Sequence, residues 1–218
     1  MHLPDLIDEV NEELRAERAK KLAQRYGGIA TGVLLLAIAG VGGWEGWRWY
    51  EGRQAGQAGQ TFLATSREAA AEGADLRVFA ERFSTIAQGA PAGYRTLARL
   101  RAAALLAETD QLDAALAAWD TLSRDQEADA LYRDLATVMW GLHALDTGDA
   151  AQIEARMAPL TAAGAPWRAS AQEVQALAAL KRGNTEQARR ALQAVMTDVA
   201  TPQALRDRAG RLLQGLGS

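Results

Sequence analysis

The chain has 218 residues, 24 basic and 27 acidic, and a formal net charge of -3, so it carries no excess positive charge with which to hold a nucleic acid. It has no cysteine, which excludes disulfides, a thiolate nucleophile and cysteine metal ligands. Its two histidines, His2 and His143, lie far apart, and neither a metal nor any other cofactor is expected.

Residues 1–25 place Leu3, Ile7, Val10 and Leu14 at spacings of three and four, the mark of one helical face. Glu17 can pair with Lys20 and Lys21 across a turn. The segment reads as an amphipathic cytoplasmic helix, either a solvated lead-in or a docking element.

Residues 26–47 read as a transmembrane helix. No charge occurs from Tyr26 to Trp44, and such a stretch rises about 28 Å, close to the ~30 Å hydrocarbon core of a bilayer. Trp44, Trp47, Trp49 and Tyr50 follow, where amphipathic rings settle at a membrane interface. Two other readings compete. A soluble helix would have to be buried on every side, and a cleaved signal would use Ala37-Ile38-Ala39. Against the signal stand six acids before the span: Asp5, Asp8, Glu9, Glu12, Glu13 and Glu17. Arg15, Arg18, Lys20, Lys21 and Arg25 precede the span and only Arg48 and Arg53 follow closely. The basic bias keeps the N-terminus in the cytoplasm and delivers the rest to the far side, in a bacterium the periplasm.

Residues 48–93 form a helical stalk and first helices, rich in Gln, Ala and Gly at the start. The small-xxx-small pairs Gly28 with Gly32 and Gly42 with Gly46 would let another helix approach closely in the membrane.

Residues 94–218 show helical patterning throughout, interrupted by turn signals at Asp110, Gly148 and Gly183, spaced 38 and 35 residues apart. That is near the tetratricopeptide period of about 34. Five residues after each turn come Ala115, Ile153 and Ala188; nine after, Trp119, Met157 and Leu192; twelve after, Leu122, Leu160 and Val195. Seven before come Ala103, Gly141 and Ala176, the small residues that let paired helices pack at short range. Asn184 caps the helix that follows it, and Thr201 with Pro202 supplies a cap and first position for the last one. The fold class is therefore all-α: one N-terminal transmembrane helix, then about three helical hairpins stacked face to face.

In such a stack the first helix of each hairpin lines the concave side. The positions are Leu97, Leu100 and Ala104; Leu135, Val138 and Leu142; Ser170, Glu173 and Leu177. They lack the basic and asparagine pattern that grips a terminal carboxylate, so a ligand would be held through apolar contact. The alternative is that the stalk or residues 204–216 already cover this face. No nucleophile elbow, HExxH or phosphate-cradling glycine loop occurs, and the acid pairs Asp110 with Asp113 and Asp125 with Glu127 sit at helix starts and loops. A non-enzyme is expected.

Four segments carry a more specific resemblance: Asp8 to Arg15, the Tyr26-Gly27 entry, the Gly42-Gly43-Trp44 exit and the Gly93 to Leu100 helix. Together they resemble the membrane-anchored, tetratricopeptide-like proteins of Gram-negative bacteria related to YfgM, the ancillary subunit of the SecYEG translocon. The resemblance covers nearly the whole chain, although Thr109-Asp110 stands where Gly-Asp is usual. It implies a single-pass inner-membrane protein whose periplasmic repeats bind Sec translocon subunits and secreted chains and hand the latter to periplasmic chaperones. It carries no catalytic residue across. A cell-envelope scaffold for division or wall-synthesis proteins would use the same parts.

Overall fold

The computed structural model describes the backbone of residues 3–216 and the side chains of residues 36–216, together with those of Lys20, Arg25, Gly28 and Gly32. Among the described residues there are nine α-helices and no strand. The chain divides into two compact units, Met1–Arg53 and Gln54–Ser218.

The first unit consists of the greater part of α1 (Leu3–Ala69). The face predicted from Leu3, Ile7, Val10 and Leu14 lies outside the described side chains, as do many residues of the predicted span. Among the described residues no helix is long and apolar enough to cross a membrane. Leu36, Ile38, Val41, Trp44, Trp47, Trp49 and Tyr50 are each more than half exposed.

The second unit begins with the end of α1 and continues as α2 (Leu76–Gly89), α3 (Ala92–Glu108), α4 (Leu112–Ser123), α5 (Ala130–His143), α6 (Ala150–Met157), α7 (Arg168–Lys181), α8 (Thr185–Thr197) and α9 (Gln203–Leu216). A short 3-10 turn, Ala158–Thr161, extends α6. Helix starts are fixed by side-chain acceptors where the backbone N–H groups have no partner in the helix. Asp75, Asp129, Asp149 and Asn184 each accept from a backbone N–H two or three residues on, at 3.0, 2.8, 2.9 and 3.1 Å. The cap expected at Thr201 does not form: α9 starts at Gln203, the Thr201 hydroxyl has no partner, and the first-turn N–H of Arg206 bonds the carbonyl of Pro202.

The hairpins pair α3 with α4, α5 with α6 and α7 with α8, and all twelve repeat positions named from the sequence are buried. The small residue at Gly141 has a concrete cause, because a Cβ there would meet Met157 Cε at 2.8 Å and Val174 Cγ1 at 3.1 Å. Two hairpin turns use a left-handed residue. Gly183 has φ 75°, and Asp110, in register with it as a turn residue, takes φ 59°. In both, the residue after the turn donates back to the closing helix, Gln111 to Leu106 and Asn184 to Ala179.

A fourth hairpin precedes these three. Residues 54–69 of α1 pair with α2, with the Phe62 and Phe83 rings edge to face at 5.3 Å and Arg82 donating to Glu68 at 2.7 Å. Counted from the cap, Phe79 and Phe83 of α2 hold the register of Ala115 and Trp119, and all four are buried. Gly59 of α1 makes room for the Tyr94 ring of α3, whose hydroxyl would lie 2.5 Å from an added Cβ.

Apolar burial then runs hairpin by hairpin. Phe79, Phe83, Ala98 and Leu105 form one cluster; Ala103, Trp119, Leu122 and Ala136 the next; Val138, Ile153, Met157 and Val174 a third; Ala176, Leu192, Val195 and Ala209 the last. Each joins a hairpin to the first helix of its successor, which is the nearest-neighbour construction of a solenoid, and α9 closes the final one. Polar ties stitch the seams: Arg156 of α6 donates to Asp120 of α4 at 2.7 Å, Trp167 Nε1 to the Leu131 carbonyl at 2.8 Å, and Lys181 to the carbonyls of Leu145, Asp146 and Gly148.

Candidate protein-binding groove

The first helices α3 and α5 lie side by side, and the rows of residues they show are set by the 3.6-residue turn. Leu97, Leu100 and Ala104 from α3 meet Leu135 from α5 around a groove of about 250 Å³. Arg101 and Met139 also line it, and Trp119 of α4 forms part of its floor. Sequence reasoning passed over Arg101 and Met139, although each stands four residues beyond a named position, Leu97 and Leu135, and so shares its helix face.

The other predicted positions separate. Val138 is buried among Ile153, Met157 and Val174 and offers nothing to a ligand. Leu142, by contrast, is 41% exposed at the end of α5. On α7, Leu177 and Ser170 are half-buried, while Glu173 is 5% exposed and bonded to Arg208 of α9. The face is thus apolar and accessible at α3 and α5, and taken by α9 at α7.

A second, larger groove of about 410 Å³ lies between α2, α3 and α4, floored by Ala87, Ala102, Leu106, Ala118 and Leu122. Arg99 on its edge is bonded to Asp125. The Glu127 backbone N–H donated to Asp125 holds that carboxyl below the usual range, and Arg99 and Arg95 add to the effect against an opposing contribution from burial. Elsewhere, burial pushes His143 below its ordinary value where its ring stacks on Trp119 at 4.7 Å.

In the first unit, Trp44, Trp47, Trp49 and Tyr50 stand exposed, with the Arg53 guanidinium 5.4 Å above the Trp49 ring. Among the described residues, a Cβ at Gly28, Gly32, Gly42 or Gly46 would meet nothing within 4 Å. Among the described residues no group of histidine, aspartate and glutamate could hold a metal ion.

A family model described as a tetratricopeptide repeat-like domain matches residues 20–208. No curated protein and no solved structure matches the chain.

Proposed function

Because the chain belongs to the tetratricopeptide repeat-like family, whose domains are usually non-catalytic protein-interaction modules, we propose that it is a protein-binding adaptor of the bacterial inner membrane. Residues 26–47 anchor it, the N-terminus stays in the cytoplasm, and the repeats work in the periplasm. Its partners are Sec translocon subunits, secreted chains and the periplasmic chaperones that receive them.

The observation that carries the binding role is the α3–α5 groove, where five apolar side chains from two helices remain open to a partner instead of being covered by a third helix. The anchor is supported by Leu36, Ile38, Val41, Trp44, Trp47 and Trp49, each more than half exposed, which would bury apolar surface in lipid with the tryptophans at the interface. The basic bias before Tyr26 supports the orientation. A reporter that is active only outside the cytoplasm, fused after Ser218, tests both: activity in the membrane fraction is expected, and an inactive fusion refutes the topology. A mature protein beginning near Gly40 would restore the cleaved-signal reading.

A further inference from the structure

Two features of the α3–α5 groove are left over by its apolar walls. Trp119 is fully buried, and its indole N–H has no hydrogen-bond partner. A buried donor is nearly always bonded, so one left over on a groove floor calls for an acceptor. Arg101 is the one charged residue lining the groove. Its nearest acid, Glu108, stands 3.8 Å away with half its side chain exposed, whereas Arg95 and Arg99 on the same helix are held by Glu127 and Asp125.

Resting on the protein-binding reading above, we infer that this groove takes a short polypeptide segment in which a leucine-sized side chain is followed by an acidic one. The groove's volume lies below the range of cofactor pockets and suits one or two side chains. The apolar side chain sits between Leu97, Leu100 and Leu135, and the carboxylate meets Arg101. Met139, unbranched and flexible, packs against the cluster that holds Trp119, and its displacement by the segment would be what admits a backbone carbonyl to the buried indole N–H. The positive charge at Arg101 selects the acid, and the absence of any acidic lining residue leaves a basic neighbour unpaired.

The test uses the full-length chain in mild detergent and three fluorescein-labelled Gly-Ser nonapeptides carrying Leu-Glu, Leu-Lys or Ser-Glu pairs, followed by fluorescence anisotropy. The Leu-Glu peptide should bind about fivefold more tightly than Leu-Lys, the scale of one exposed charge pair turned from attraction to repulsion. It should bind about tenfold more tightly than Ser-Glu, for the lost apolar burial. Arg101→Glu should reverse the order of the two leucine peptides with an unchanged melt. Placing 3-benzothienylalanine at Trp119, which keeps the ring shape without the N–H, should weaken Leu-Glu binding about fivefold, again with the melt unchanged. Equal binding of Leu-Glu and Leu-Lys overturns the inference while leaving the groove as a polypeptide site; no binding of either leucine peptide overturns both.

Discussion

Arg208 of α9 closes on both carboxylate oxygens of Glu173 of α7, with Nη2 donating to Oε2 at 2.7 Å and Nε to Oε1. Glu173 lies on the face that the repeat pattern leaves open, yet it is buried. The concave side is therefore closed at its C-terminal end and accessible further back, at α3 and α5. Arg208→Ala leaves a buried carboxylate without its partner. A loss of about 2 kcal/mol is expected, less than for a fully buried pair because Arg208 is half in solvent. Replacing Glu173 and Arg208 together with leucine should recover most of it in thermal melts.

Trp119→Ala should cost about 3 to 5 kcal/mol, since the side chain is fully buried between α3 and α5 and stacked on His143. Urea melts of residues 54–218 measure it. A change under about 1 kcal/mol would mean that this site refills from its neighbours.

Serine at Leu100 and Leu142 separates folding from binding. Leu142 is substantially exposed and Leu100 half-buried, so the combined loss of stability should stay near about 1 kcal/mol. Capture of unfolded polypeptide should nevertheless fall sharply, and capture that survives would remove these residues from the site.

Asp110 and Gly183 predict opposite signs. Asp110 holds a left-handed conformation that costs a non-glycine residue energy, so Asp110→Gly should be neutral or stabilising by about 0.5 kcal/mol. Gly183→Ala imposes the same strain anew and should destabilise by about 1 kcal/mol.

These turns also explain what the sequence disclosed. Asp110, Gly148 and Gly183 set the register, and from it the buried positions of three hairpins could be read, because each is a local spacing from a local signal. The fourth hairpin stayed hidden for two reasons. Its first helix is the continuation of α1, whose Gln, Ala and Gly composition reads as a stalk, and its second helix packs Phe79 where the other hairpins use Ala or Ile. The groove was half legible. Leu97, Leu100 and Leu135 followed from periodicity, but the burial of Val138 and the clasp on Glu173 depend on α6, α7 and α9, which no spacing within one helix reveals.

Acid should weaken the fold through His143. Its folded pKa is lowered by burial, so below the ordinary value near 6.5 the unfolded chain takes up a proton that the folded one resists. Stability from this group is full above that value and is lost as pH falls towards the folded pKa. His143→Phe, which preserves a stacked ring on Trp119, should flatten the difference between melts at pH 7.5 and 5.5. An unchanged difference would assign the effect to carboxylates.

The central claim, that the α3–α5 face receives proteins at the translocon, is tested most directly by a photocrosslinking residue placed at Leu100 in living cells. The same residue at the exposed Arg190 of α8 serves as the control. Identification of the adducts by mass spectrometry should give a Sec translocon subunit or a secreted chain from Leu100 and neither from Arg190. Division or wall-synthesis proteins at Leu100 would move the chain to the scaffold role, and no adduct there, or the same adducts from both positions, would contradict the claim.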